Sequence, residues 1–248
     1  MPEHESRSLD VLGIKPVADA FSHITKATVD GASAFLSRIC LPAAEEFGLL
    51  VQDRVRAWRA TNAVRVVAAA QAHAEKYLPN QEIHAHPRLV AAVLEHGSWS
   101  DDESLQHLWG GLLASSCSKD GRDDSNLIFV NLLSQLTALQ VSVLAYGCQK
   151  CEKTITPSGL MMPQQGEFCV DFFMLQSVAG TEDIHRIDRE LDHLASLGLI
   201  QGGIYSDSDA LTVDITPSAL ALNLYVRCQG FHGSPVEFFG LTMPVQQV

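Results

Sequence analysis

Apolar residues recur at helical spacing along most of the 248-residue chain. The cleanest stripe is Leu105, Leu108, Trp109, Leu112 and Leu113, at i, i+3, i+4, i+7 and i+8. It predicts an amphipathic helix with Trp109 in the core. Ser100-Asp101-Asp102-Glu103 precedes it and fits a capping box. A longer helix is expected from Pro42 to Tyr77. Val51, Val55, Trp58, Asn62, Val66, Ala70 and Ala74 form its inner stripe, with Arg54, Arg56, Arg59 and Arg65 at its sides. Asn62 on that stripe requires a partner, because a buried amide left unpaired costs about 1–3 kcal/mol. His86-Pro87 opens a short helix from Arg88 to His96, closed by Gly97. Residues Asn126 to Gln135 read as another. Upstream, Val11 to Cys40 is apolar and rich in small residues, and reads as one or two short helices with a weak point at Gly31.

The pattern changes after Thr137. Thr137 and Gln140 fit a capping box that leads a helix to Cys148. Gln149 to Gln165 contains Pro157, Gly159 and Pro163 and reads as an irregular insertion with room for a short hairpin. Phe168 to Val178 fits a helix better than a strand. Thr181 is placed to cap a helix carrying Ile184, Ile187, Leu191, Leu194 and Leu197, with Gly198 as a Schellman-type stop. Ile204 to Ile215, with polar residues 206–209 in its middle, fits a two-stranded wing. Thr216-Pro217 begins a last helix that runs through Arg227 and ends near Gly230. This order is that of a winged helix. The expected fold class is therefore mainly α: a helical N-terminal domain followed by a winged-helix-like α+β C-terminal domain. The expected layout is a disordered tail at 1–10, a helical domain at 11–135, and a winged-helix-like domain at 136–233 with an insertion near 149–165. A C-terminal tail follows at 234–248.

Charge narrows the partners. The formal net charge is -12 and the isoelectric point about 5.2. DNA binding draws on Lys and Arg neutralising phosphates, so nucleic acid is not the expected partner; a protein partner or self-association is. A chain of this length buries roughly 70–75% of its unfolded surface and needs no disulfide or metal staple. No stretch reaches the eighteen or so apolar residues that span a bilayer, and the polar start, Met1 to Asp10, is unlike a signal peptide. With six cysteines in no secretory pattern, the expectation is reduced thiols in the cytoplasm.

Candidate chemistry is sparse. Cys148-Gln149-Lys150-Cys151 is half a zinc knuckle, with Cys169 the only nearby third thiol; a structural zinc takes four ligands. His84 and His86 flank a turn at a helix entry. His185 and His193 are expected on the exposed side of the Thr181 helix. That helix carries Arg186 and Arg189 against Glu182, Asp183, Asp188, Glu190 and Asp192, so a phosphate-facing role is disfavoured. No local nucleophile, metallohydrolase, phosphate-loop or dinucleotide motif is present. The expectation is no enzyme, no cofactor, no metal and no catalytic residue.

Three stretches carry a family resemblance: "LPAAEEFGLLVQDRVRAWRATN", "DDESLQHLWGGLLA", and the later "LASLGLI" with "ITPSALALNLYVRCQG". Over roughly residues 40 to 230 the chain resembles the Abi-alpha family, bacterial proteins associated with abortive infection, a phage-defence response. The resemblance implies a defence role and supplies no catalytic residues. The expected function is a phage-defence protein acting through protein contacts. Two alternatives stand beside it: a membrane-active effector using the apolar segment 11–40, and a winged-helix nucleic-acid-binding regulator.

Overall fold

A computed structural model describes residues 26–40, 54–79, 81–164, 168–207 and 210–242. The expectations for 11–25 and for the start of the long helix, 42–53, lie outside these residues. The described chain is mainly helical with small antiparallel sheets. In chain order the first half holds α1 (Lys26–Ile39), α2 (Arg54–Tyr77), β1 (His84–Ala85), α3 (Pro87–Gly97), α4 (Glu103–Ser115), β2 (Cys117–Ser118) and α5 (Leu127–Leu133). The second half holds α6 (Ala138–Lys150), β3 (Lys153–Ile155), β4 (Met161–Pro163), β5 (Cys169–Asp171), α7 (Phe172–Ala179), α8 (Ile184–Ser196), β6 (Ile204–Asp207), β7 (Ala210–Asp214), α9 (Ala219–Cys228) and α10 (Pro235–Phe238).

The most extensive helix pairing is α2 against α4. From Asn62 onward the inner stripe is as the periodicity predicts, with Val66 and Ala70 fully buried and Trp109 2% exposed. At the start of α2 it is not, since Val55 is 57% exposed and Trp58 only half-buried, where the described chain has little packed over the helix. Consecutive glycines in α4 make the contact close. A Cβ on Gly110 would stand 2.8 Å from the Ala70 nitrogen and the Val66 oxygen on α2. A Cβ on Gly111 would collide with the Cys228 carbonyl on α9. Thus α4 is pressed between two helix backbones and joins the halves of the chain. α1 docks on α2 and buries Phe35, Leu36 and Ile39.

Local chemistry sets the helix limits. Thr137 and Gln140 form the reciprocal capping box at the start of α6. Gly198 takes φ 68 and the Leu199 nitrogen donates to the Leu194 oxygen at 3.0 Å, which closes α8 as the Schellman pattern requires. Two caps fall later than the sequence pattern suggests. Asp102, not Ser100, caps α4 through Leu105, and Asp183, not Thr181, caps α8 through Arg186. In both places a carboxylate nearer the helix takes the first free N–H groups.

Residues 168–178 depart from a single helix. Cys169–Asp171 is a strand paired with β7, and Asp171 then caps α7 through Met174. The three-stranded sheet has the order β5-β7-β6, all antiparallel, with Val213 of β7 facing Val170 on one side and Ile204 on the other. The insertion forms the hairpin β3–β4, with Thr154 opposite Met162. Ser234 and Glu237 form a capping box on α10, and Phe238 and Phe239 pack around Tyr225 of α9.

The two glycine environments give opposite expectations. Gly111→Ala should cost about 1–3 kcal/mol or more, because its methyl meets backbone that cannot move alone. Gly31→Ala, whose methyl meets nothing within 4 Å, should gain about 0.5–1 kcal/mol from helix propensity. Denaturant melts that rank the two variants in the reverse order would contradict this packing.

Candidate functional site

Asn62 finds its partners on two other helices. Its Nδ2 donates to the Ser98 carbonyl at 3.1 Å, and its Oδ1 accepts from Gln106 Nε2 at 3.2 Å. Gln106 Nε2 also donates to the Ser100 oxygen at 2.8 Å. One turn earlier on α2, Arg59 turns inward. Its Nε donates to Ser98 Oγ at 3.0 Å and its Nη2 to Glu95 Oε2 at 2.6 Å. Its guanidinium lies 4.3 Å from the centroid of the Trp99 ring. The Arg59 hydrogen bond holds the Glu95 carboxyl below its ordinary range. Arg59, expected at the side of the long helix, is thus committed to structure.

Beside this network α2 and α4 form the sides of an open cleft of about 540 Å³. Arg65, Asp101, Glu103, Gln106 and His107 give it polar walls, and Ala68 and Ala69 a smooth floor. The lining holds one guanidinium, one imidazole and two carboxylates, but no hydroxyl, thiol or amine nucleophile. Behind His107 lies His73, in edge contact with it at 4.5 Å between ring centroids. Burial, with His107 and Lys76 nearby, pushes the His73 imidazole down from 6.5 to about 4. Its Nε2 is buried without a hydrogen-bond partner.

A second surface lies on α7 and α8. Leu175 of α7 and Ile187, Leu191 and Leu194 of α8 face the core. On the opposite side of α7 Phe173 is 82% exposed, and Met174 is 43% exposed; Ile184, at the start of the buried stripe of α8, is 39% exposed. On α8 and in the turn before it Glu182, Asp183, Asp188 and Asp192 are exposed. Arg186 reaches Glu190 at 3.9 Å, and Arg189 is exposed. Sequence reasoning missed Phe173, because one helix over 168–178 could bury it. The signal was Phe172-Phe173 directly after a capping Asp171: adjacent residues on one helical turn cannot both face the core.

The family model of abortive infection alpha matches residues 61–216, well over half of the chain. The chain belongs to the abortive infection alpha family. The match runs from Thr61 in α2 to Thr216 after β7, so the family segment contains the Asn62 network, the cleft and the α7–α8 face. Comparison with curated proteins and with solved structures gives no significant match.

The remaining histidine and cysteine candidates are spread over several elements. His86 accepts from the Arg88 nitrogen at 3.2 Å and caps α3, while His84 sits in β1 at 3.4 Å from Glu82. His193, expected in solvent, is half-buried with its Nδ1 at 2.9 Å from Gln140 Nε2; His185 is exposed. Cys148 and Cys151 are buried, and Cys169 is exposed on β5. Burial pushes the Cys148 and Cys228 thiols up, and the Cys117 thiol to about 12. The thiolate is the nucleophile and ligand form, so these sulfurs act as small apolar groups. Among the described residues no group of three or more His, Cys, Asp or Glu is arranged to hold a metal ion.

Burial of His73 makes stability depend on pH. Between pH 6.5 and about 4 the unfolded chain takes up a proton that folded His73 refuses. Stability from this group is therefore complete above pH 6.5 and declines as pH falls toward 4. The loss should reach roughly 3 kcal/mol at most, since a tenfold change in proton affinity corresponds to about 1.4 kcal/mol. His73→Leu should remove that component from the pH profile of denaturant stability. Equal pH slopes for the variant and the wild type across this window would contradict the assignment.

Proposed function

We propose that this abortive infection alpha protein serves in phage defence through protein contacts rather than catalysis, and that its second half is a winged helix turned to that use. Helix α6, strand β5, helices α7 and α8, and the hairpin β6–β7 follow the winged-helix order. The sheet order β5-β7-β6 is the one in which the wing hairpin closes on the strand that precedes the second helix. The observation that carries the reading is the exposure of Phe173 on α7 at 82%, together with exposed carboxylates at Glu182, Asp183, Asp188 and Asp192 on α8 and the turn before it. A duplex-facing helix needs cations free for phosphate. Here Arg186 already faces Glu190 at 3.9 Å. The cleft beside α4 offers polar groups without a nucleophile, which suits recognition better than bond-making.

α1 is packed on α2 in the described state, and no described helix is long and apolar enough to cross a membrane. These observations favour a contact mechanism over the membrane-active alternative.

A salt titration of duplex DNA binding tests the reading. Binding should be weak and should vanish near physiological ionic strength, with a slope set by few phosphate contacts. Replacing Arg186 and Arg189 by Ala should leave protection against phage intact. Duplex binding that survives physiological salt and is lost in the double variant would overturn it.

A further inference from the structure

We propose that the cleft between α2 and α4 binds a small molecule with two cationic nitrogen groups and one carboxylate, the chemistry of a free basic amino acid. The inference goes beyond the protein-contact reading and stands on the cleft alone. Each helix lines the cleft with one face. Arg65, Ala68 and Ala69 stand at i, i+3 and i+4 on α2, and Glu103, Gln106 and His107 at i, i+3 and i+4 on α4. Asp101 joins them from the turn before α4. One turn further along α4 the helices touch, since a Cβ on Gly110 would lie 2.5 Å from the Ala69 Cβ, and the groove ends there. One polar group of the lining is fixed in advance. Gln106 is 4% exposed, and its Nε2 donates to the Ser100 carbonyl at 2.8 Å and to Asn62 Oδ1 at 3.2 Å. A carbonyl only accepts, so the amide has one orientation, and Oε1 is left without a protein donor among the described residues. Among those residues His73 Nε2 is the side-chain polar atom that is both buried and unpartnered. Gln106 Oε1 is therefore open to solvent, on the side chain that lines the cleft. A preset acceptor lowers the ordering cost of binding an N–H donor.

The charges of the lining define what fits. Arg65, Asp101 and Glu103 are exposed, and among the described residues none of them is in an ion pair. Two carboxylates stand against one guanidinium, and the complementary ligand carries two cationic nitrogens and one carboxylate. Arg65 offers paired N–H donors that match a carboxylate, and Asp101 and Glu103 accept from ammonium or guanidinium groups. His107, backed edge-on by His73 at 4.5 Å between ring centroids, adds a ring that can donate or accept. The short side chains of Ala68 and Ala69 leave room for an aliphatic stem. A volume of about 540 Å³ lies within the roughly 300–1,000 Å³ of small-molecule sites. A phosphate or dicarboxylate would meet both carboxylates on a chain of net charge -12. A polyamine would leave Arg65 unmatched.

The test is isothermal titration calorimetry of the full chain at low ionic strength, where exposed charges are least screened. The probes are L-arginine and L-lysine, agmatine without the carboxylate, citrulline without the side-chain charge, and Nα-acetylarginine without the α-ammonium. L-arginine or L-lysine should bind about tenfold or more tighter than any relative that lacks one group. Glu103→Gln should weaken the amino acid by a similar factor. Arg65→Gln should bring L-arginine down to the affinity of agmatine and leave agmatine itself unchanged, which a general loss of structure would not do. Both side chains are exposed, so the variants should keep a cooperative wild-type-like melt, and Glu182→Gln at the start of α8 should bind as wild type. No binding of either amino acid, equal affinity for the amino acids and their relatives, or affinities unchanged in Glu103→Gln and Arg65→Gln overturns the proposal. Nα-acetylarginine bound as tightly as L-arginine also overturns it, in favour of the basic C-terminus of a peptide. None of these results bears on duplex binding or on Phe173, so the protein-contact reading stands or falls separately.

Discussion

Gly110 and Gly111 of α4 let this helix touch backbone on two sides at once, and the architecture depends on it. On one side stands α2, whose Val66 oxygen and Ala70 nitrogen would lie 2.8 Å from a Cβ at Gly110. On the other stands the end of α9, whose Cys228 carbonyl occupies the place of a Cβ at Gly111. Side chains between helices normally hold their axes apart by 8–10 Å, depending on the groups at the crossing. Removing both side chains at one crossing lets a helix of the first half serve as common wall for both halves. His73 is caught in the same seam: a Cβ at Gly230, just beyond α9, would lie 2.6 Å from the His73 Cβ. The His73 imidazole is thus buried at the joint between the halves, without a partner at Nε2.

The joint also sets what is left for function. With α2, α4 and α9 consumed in mutual packing, the polar groups near the crossing are largely absorbed in one another. Asn62, Ser98 and Gln106 saturate a buried network, and Arg59 is held by Ser98, Glu95 and Trp99. The cleft above them keeps its charges in water. α7 and α8 pack instead on α6, and α7 also on the sheet, with Phe173 left exposed. In a family tied to abortive infection, a rigid scaffold presenting a surface is a coherent way to act.

Helical periodicity made much of this legible. α3, α4, α6, α8 and the β6–β7 hairpin follow from apolar spacing and turn residues that act within a few positions of each other, although the caps of α4 and α8 are Asp102 and Asp183 rather than Ser100 and Thr181. The demand of Asn62 for a partner was visible too, but its partners were not, since Ser98 and Gln106 lie 36 and 44 residues away. Strand β5 was hidden because three residues are too few for alternation to register beside the helical run of α7. The same ambiguity hid the exposed Phe173. The inward turn of Arg59 and the half-burial of His193 were also out of reach, because each depends on a carboxylate or amide from another helix.

The exposed Phe173 of α7, with the exposed carboxylates of α8, is thus the feature on which the proposed defence role rests. Survival of phage-challenged cells producing Phe173→Ser, at protein levels and melting profile matched to wild type, tests it most directly. Phe173 supports no core packing at 82% exposure, so the account predicts loss of protection with the fold intact. Full protection in that variant would contradict it.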